Sequence, residues 1–302
     1  MKTVLCIPTL NAAETVDDFL STLKVQTHQP DVLLIIDSES CDGTDVTLRN
    51  AGAVVHVIAR DTFGHGRTRQ LAVEKADKAD IVIFMTQDAI LARPDSIERL
   101  LGCFTDENVG MAYGRQLPSS MATHIAAHAR LFNYPENSMV RSKSDISTLG
   151  IKAAFCSNTF AAYRLSALDT VEGFPPHVIF GEDTIVAAKM LQNGWGIAYC
   201  SEAMVYHSHN YSYCEEFRRY FDIGVFHSQE KWFLESLGTA DREGKRYLIS
   251  EMKYLLKHSP CQIPSAMLRT ILKYVGYKLG RMESRLSVSV KKMLSMNKAY
   301  WK

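Results

Sequence analysis

The chain has 302 residues, 46% hydrophobic and 22% charged, the balance of an ordinary soluble globular protein with one large or two modest domains and a sizeable core. Its net charge of +1 conceals an acidic body and a basic tail, because residues 242–302 carry 14 Lys and Arg against 3 Asp and Glu while the rest carries 20 against 30. Seven cysteines without a C-x-x-C pair argue against a structural zinc site and for reduced thiols in a cytosolic protein, and neither the N-terminal MKTVLCIPTLN nor any later stretch has the apolar length of a signal peptide or membrane span.

Residues 3–7 read as a first strand, stopped by Pro8-Thr9-Leu10-Asn11. A helix over 12–25 follows, with Val16, Phe19, Leu20 and Leu23 on its apolar face and Asn11 and Glu14 placed as a capping box. Residues 32–36 predict a second strand that runs into DSESCDGT at 37–44, a turn-rich stretch before a helix over 45–51. A third strand at 53–59 ends at Arg60, and the FGHGRTR loop at 63–69 opens a helix through about 78. Residues 81–85 are five consecutive apolar side chains, a central strand buried on both faces, with Thr86, Gln87 and Asp88 at its polar end. Repeated strand, loop and helix predict βαβ units and a parallel sheet.

Three loops, at 8–11, 37–44 and 63–69, therefore converge with Asp88 on the edge where open α/β sheets bind ligands. Asp37 can accept hydrogen bonds from a ribose hydroxyl or a base N–H, and Arg60, Arg67 and Arg69 offer cations for phosphate. There is no G-x-G-x-x-G after the first strand and no G-x-x-x-x-G-K-[ST] anywhere, so the dinucleotide-fold and P-loop readings lose their support. A nucleotidyltransferase would want a glycine-rich, lysine-bearing first loop, and PTLNAAET has neither feature. A diphosphate held without those devices needs a bridging metal, which gives Asp88 a role; taken alone, Asp88 could equally cap a turn.

PTLN, DSESCDGT, HGRTR and a DxD-like triplet, in that order, resemble the family 2 glycosyltransferases of the GT-A fold. TQDA at 86–89 with FGHG at 63–66 is similar to their bacterial rhamnosyltransferase branch, which uses dTDP-L-rhamnose, and the match extends through about residue 225. The resemblance implies that Thr9 and Asp37 hold the pyrimidine base, with Pro8, Asn11 and Ser38 beside them in the nucleotide-sugar site. It further implies that His65, Gly66 and Arg69 lie near the diphosphate or base, and that Asp88 contacts metal and ribose. Thr86 stands where most members have Asp, which leaves a ribose contact missing or passed to Gln87, and Glu39 stands where glycine is common.

In the second half, 94–104 reads as a helix and 111–115 as a short strand ended by Gln116-Leu117-Pro118. The stretch on to 150 lacks periodicity and reads as a surface excursion or as loops over a site. Residues 155–163 return as an apolar strand, where the resemblance makes Ser157 and Asn158 candidates beneath the acceptor. Phe180-Gly181-Glu182-Asp183 opens a helix with Ile185, Ala188, Met190 and Leu191 on apolar positions. Two acids there complement a helix dipole; resemblance to inverting transferases implies instead that Asp183 is the general base toward the acceptor hydroxyl and that Glu182 orients it or contacts acceptor. Residues 194–199 read as a turn into an edge strand, and His207-Ser208-His209 then place two imidazoles on one side of a strand. The family supplies a ligand here opposite the triplet Asp, which favours His207 over His209 as partner of Asp88 for Mg2+ or Mn2+ beside the departing dTDP.

From about 211 the pattern turns helical, and Pro260 and Pro264 separate two stretches. Leu268, Ile271, Leu272, Val275, Leu279, Met282 and Leu286 recur at three- and four-residue steps among Arg269, Lys273, Lys278, Arg281, Arg285, Lys291 and Lys292. The apolar stripe reads as a packed amphipathic helix. The basic face suits anionic lipid, at about 1 kcal/mol per basic residue near the surface, with helix-mediated homodimerisation as the competing reading and no nucleic-acid motif beside the charge. The expected architecture is a mixed, mostly parallel α/β sheet flanked by helices. It comprises a GT-A domain at 1–225, with a nucleotide-binding half at 1–115 and an acceptor-binding half at 116–225, and a basic helical region at 226–302. The expected function is inverting, metal-dependent transfer of L-rhamnose from dTDP-L-rhamnose to a polyprenyl-diphosphate-linked glycan in O-antigen-like polysaccharide assembly, at the cytoplasmic face of the cell membrane. The alternatives are a UDP-hexose or UDP-N-acetylhexosamine donor, or a nucleotide-sugar-binding chain without turnover, at which Thr86 hints.

Overall fold

The computed structural model describes residues 1–76, 78–238 and 241–301. Asp77, in the last turn expected of the helix that runs to about 78, lies outside the described residues, as does Lys302 of the basic tail. The strands are β1 (Thr3–Thr9), β2 (Val32–Asp37), β3 (Val54–Val57), β4 (Ile81–Met85), β5 (Ile90–Leu91), β6 (Val109–Leu117), β7 (Met139–Arg141), β8 (Phe160–Arg164) and β9 (Gly196–Tyr206). They form one sheet in the order β3-β2-β1-β4-β8-β6-β9-β5, with β7 also on β9. The mixed, mostly parallel sheet flanked by helices is present: β1 to β4 pair in parallel, as do β6 and β9, and β8 runs antiparallel between β4 and β6. Along β4 the two-residue period sends Val82 and Phe84 into the core of one face and Ile81, Ile83 and Met85 into that of the other.

Several local expectations are corrected. The helix Ala13–Lys24 starts without a capping box. Asn11 has φ +48° and its side-chain Oδ1 accepts the Cys41 N–H at 3.0 Å, while the N–H groups of Ala12 and Ala13 go to Thr44 Oγ1 and Asp42 Oδ2 at 2.8 and 2.9 Å. The 37–44 loop thus caps the first helix from a neighbouring strand, which pins the two ligand loops together. The helix expected over 94–104 is shorter, Ser96–Gly102, and ends in a 3-10 turn. The 118–150 stretch is ordered, with a helix His124–Asn133 capped by the Thr123 hydroxyl, followed by β7. The strand β8 begins at Phe160 rather than 155, because the Phe155 carbonyl is taken by Arg141 and the Asn158 N–H by Asp183. Finally, β9 is one continuous strand and not an edge: β6, β5 and β7 all pair with it.

The C-terminal region is helical, with Tyr213–Gln229, Lys231–Leu237, Asp241–His258, Ile263–Arg281 and Val288–Leu294. The boundary expected at 225 falls inside the first of these, whose Phe221 and Val225 share a core cluster with Ile185, Phe233 and Trp301. Helices Tyr213–Gln229 and Ile263–Arg281 meet backbone to backbone: a Cβ on Gly280 would stand 2.0 Å from the Phe221 carbonyl oxygen, and one on Gly276 2.5 Å from that of Phe217. This close seam of small residues splits the expected stripe: Leu279 and Leu286 pack against the core, but its first half turns away. Leu268, Ile271 and Val275 face outward, at 45%, 59% and 41% exposure, whereas Arg269 and Lys273 turn in to Glu216 at 3.3 and 3.4 Å. Among the described residues no helix is long and apolar enough to cross a membrane.

Candidate active site

The register Thr9↔Asp37 brings the ends of β1 and β2 side by side. The Thr9 hydroxyl donates to Asp37 Oδ2 at 2.8 Å, and Ser40 donates its hydroxyl to Oδ2 and its N–H to Oδ1, at 2.6 and 2.8 Å. Asp37 is buried, so most of its acceptor capacity shapes the loop; the Ser38 hydroxyl beside it is buried without a hydrogen-bond partner among the described residues. Gln87 behaves like a strand segment toward the first loop: it accepts the Leu10 N–H at 2.8 Å and donates to the Leu10 carbonyl at 3.2 Å. Pro8 is the half-buried residue before Thr9 on β1. Glu39 adopts φ +56°, a conformation that favours glycine, and is held there by the Arg60 N–H on its carboxylate and the Arg60 guanidinium on its carbonyl.

The helix His65–Lys75 carries Arg69, and the helix Glu182–Gln192 begins with the two acids. Arg69 Nη1 lies 2.8 Å from Glu182 Oε1 and donates to the His65 carbonyl at 3.1 Å, with both charged partners buried. Arg69 and Glu182 thus form a buried ion pair beside Asp183, with Arg69 Nε left without a hydrogen-bond partner among the described residues. Gly66 serves packing, since a Cβ there would fall 1.8 Å from the Pro175 carbonyl oxygen. Burial, followed by the Arg69 charge, pushes the His65 imidazole down to about 4.

Asp183 accepts the Asn158 N–H at 3.2 Å on Oδ2 and the Thr184 N–H at 2.7 Å on Oδ1. Asn158 is itself fixed by the Tyr163 hydroxyl at 2.6 Å. Burial first, and then the neighbouring Glu182 charge, push the Asp183 carboxyl up to about 6, against the pull of Arg69. A carboxylate whose proton affinity lies that close to neutrality is suited to take a proton from a hydroxyl. Ser157 lies under this site, linking Gln116 Nε2 at 3.0 Å to Thr159 Oγ1 at 3.1 Å. Because Met85 pairs with Phe160, Asn158 and Asp183 stand beside the Thr86 to Asp88 end of β4.

On the other side, β5 pairs with β9 in the register Ile90↔Tyr206, which carries Asp88 back toward the residues that follow Tyr206. Asp88 Oδ2 lies 3.3 Å from His207 Nε2 and 3.7 Å from His209 Nε2, and the three donor atoms fall within 4.8 Å of one another. His207 Nδ1 is 3.0 Å from Gln116 Oε1, a carbonyl oxygen that also accepts from Arg130. That acceptor assigns the proton to Nδ1 and leaves the Nε2 lone pair facing a carboxylate. Two acceptors at this distance need a second proton or a shared cation, so the donor set fits a divalent ion. Sequence reasoning found all three donors but missed Gln116, which it took for a strand stop, and Tyr163 and Thr184, which hold Asn158 and Asp183 through contacts close in the chain that no motif marks.

Such a sheet, with nucleotide loops, a carboxylate–imidazole cluster and a half-buried acid on one edge, defines a GT-A glycosyltransferase. The chain belongs to glycosyl transferase family 2, whose model matches residues 4–172. It is 48% identical over 304 residues to the O-antigen chain rhamnosyltransferase RfbN of Salmonella typhimurium, covering 100% of this chain and 96% of that protein. It is 45% identical over 298 residues to the O-antigen chain rhamnosyltransferase WbaN of Salmonella anatum, covering 98% and 95%. Among solved structures, the mannosyltransferase PcManGT from Pyrobaculum calidifontis in complex with GDP-Man and Mn2+ shares the fold, with a TM-score of 0.60 at 17% identity over 99% of this chain and 85% of that one. S. aureus TarS 1–349 in complex with UDP does so with a TM-score of 0.56 at 17% identity, over 99% and 88%.

The Arg69–Glu182 pair generates a stability prediction. Glu182→Gln leaves a buried guanidinium without its counter-charge and should destabilise the fold by about 3–5 kcal/mol, whereas the double change Arg69→Met with Glu182→Met should cost much less. Urea unfolding of the two variants and of wild type checks this; equal costs would mean that the pair is not coupled.

Proposed function

We propose that the chain is an inverting, metal-dependent rhamnosyltransferase that moves L-rhamnose from dTDP-L-rhamnose to a lipid-linked oligosaccharide in O-antigen-like polysaccharide assembly. The sugar and the pathway are supported by similarity along nearly the whole chain to two O-antigen chain rhamnosyltransferases. The chemistry is carried by one observation: the Asp88, His207 and His209 donor set shares a sheet edge with the half-buried Asp183, whose carboxyl is raised to about 6.

The loops at 8–11 and 37–44 bind and orient the nucleotide. Asp88, His207 and His209 would hold Mg2+ or Mn2+, which when bound supplies Lewis-acid neutralisation of the leaving nucleoside diphosphate. Asp183 takes the acceptor hydroxyl proton at its carboxylate as the new C–O bond forms on the face opposite the departing group, which inverts the anomeric centre. Asn158 and Thr184 keep that carboxylate aimed, and Arg69 holds Glu182 in place beside it.

A lipid-linked acceptor brings the protein to the inner face of a membrane, and the outer face of helix Ile263–Arg281 supports that reading. Met267, Leu268, Ile271, Tyr274 and Val275 all lie exposed there, with Lys278 against the Tyr274 ring at 5.5 Å, an apolar stripe with a basic flank.

Two measurements test these assignments. Calorimetric titration with dTDP, dTDP-rhamnose, UDP and UDP-hexoses should show Mn2+-dependent binding selective for the dTDP ligands and abolished in Asp88→Ala. Preference for UDP would replace the donor, and absence of nucleotide binding would overturn the enzyme reading. In co-sedimentation, wild type should pellet with vesicles containing anionic lipid and Ile271→Glu should stay in solution; a dimer in solution that Ile271→Glu dissociates would instead assign the face to a second copy.

A further inference from the structure

Arg219 projects from the helix Tyr213–Gln229 into the gap between the two halves of the site. Its guanidinium carbon stands 5.0 Å from the centre of the Phe180 ring and 5.6 Å from that of Tyr211, and Nη1 reaches the Tyr211 hydroxyl at 3.5 Å. Phe180 precedes the Glu182-Asp183 pair, while Tyr211 follows His209 and stacks on its ring at 5.0 Å. The Arg219 charge is also close enough to His65 to disfavour its protonation. Among the described residues its contacts are these two rings and one phenol, with no carboxylate. Arg69 and Arg269, by comparison, have Glu182 and Glu216 as counter-charges.

A partly desolvated guanidinium costs free energy unless something answers its charge. Stacking on two aromatic faces offsets part of that cost and fixes the plane of the N–H fork, yet most of the five donors stay unused. Planar, bidentate donors of this kind match phosphate oxygens better than an ammonium does. Arg130 adds a second cation on the same side: it lies over Tyr134 at 5.8 Å, donates to Gln116 and has no carboxylate partner among the described residues.

We infer that Arg219, held flat by Phe180 and Tyr211, is a diphosphate clamp between the Asp88–His207–His209 donor set and Asp183, with Arg130 beside it. The inference rests on the glycosyl-transfer reading and adds to it a residue and a ligand group. The diphosphate has two available sources there, the nucleoside diphosphate of the donor and the diphosphate of a prenyl-linked acceptor. On the donor, the clamp spreads over a fixed fork the negative charge that develops as the glycosyl bond breaks; on the acceptor, it positions the prenyl-linked diphosphate.

The test uses inorganic pyrophosphate with Mn2+ as the probe, on wild type, Arg219→Ala and Arg219→Lys, with melting temperatures as the folding control. Loss of one charge-assisted contact should weaken pyrophosphate about tenfold or more in Arg219→Ala, and Arg219→Lys should fall between because it keeps the charge and loses the fork. Displacement of the probe by dTDP assigns the clamp to the donor; displacement by geranyl diphosphate but not by dTDP assigns it to the acceptor. Equal pyrophosphate affinity in all three proteins, each folded, overturns the inference. A clamp that depends on Arg219 in a protein that does not prefer dTDP over UDP would uphold it while overturning the donor reading alone.

Discussion

A buried ion pair, Arg69 to Glu182 at 2.8 Å, holds the catalytic edge together. It joins the helix that opens at His65 to the helix that opens at Glu182, so two segments over a hundred residues apart in the chain meet at one contact. The pair also bears on a proton affinity. Burial does most to raise the Asp183 carboxyl to about 6; Glu182 adds to the rise and Arg69 offsets part of it. Buried pairs of this kind are weak sources of net stability. Placement and tuning of the adjacent acid are what this one supplies.

A second constraint acts across the site. Gln116, at the end of β6, fixes the tautomer of His207 through one oxygen and is itself fixed by Arg130 and Ser157. The short β5–β9 pairing then delivers Asp88 to the free imidazole nitrogen. Ligand orientation is thus decided by residues that touch no ligand, the usual way a protein stiffens a metal site. Arg219, stacked against Phe180 and Tyr211, adds a positive charge at the same edge, where the proposed reading places a diphosphate.

What the sequence made legible was local and periodic. β1, β2 and β4 announced themselves by unbroken apolar runs, and their polar ends named Thr9, Asp37 and Asp88. The His-x-His spacing gave the other two donors. Long-range competition for backbone groups was not legible. Asn11 looked like a helix cap and instead serves Cys41, and 155–158 looked like strand although its groups are claimed by Arg141 and Asp183. The apolar stripe at 268–275 had the right period for a packed face, but Gly276 and Gly280 chose the opposite face for contact because only glycine admits another helix backbone so closely. Arg69 and Arg219 show the same limit: the first looked free for phosphate and is paired, while the second carried no motif and stands unpaired beside the site.

The most direct single measurement is the pH dependence of kcat/KM for rhamnosyl transfer from dTDP-rhamnose with Mn2+ present. A base whose proton affinity is raised to about 6 must be ionised to act, so the rate should be level above that pH and fall about tenfold per unit below it. Replacement of Glu182 by Gln should move this limb to lower pH, because it removes the charge that raises Asp183 and leaves the one that lowers it. A wild-type profile that runs flat through pH 6 down to the ordinary carboxylate range would contradict the assignment of Asp183 as the base.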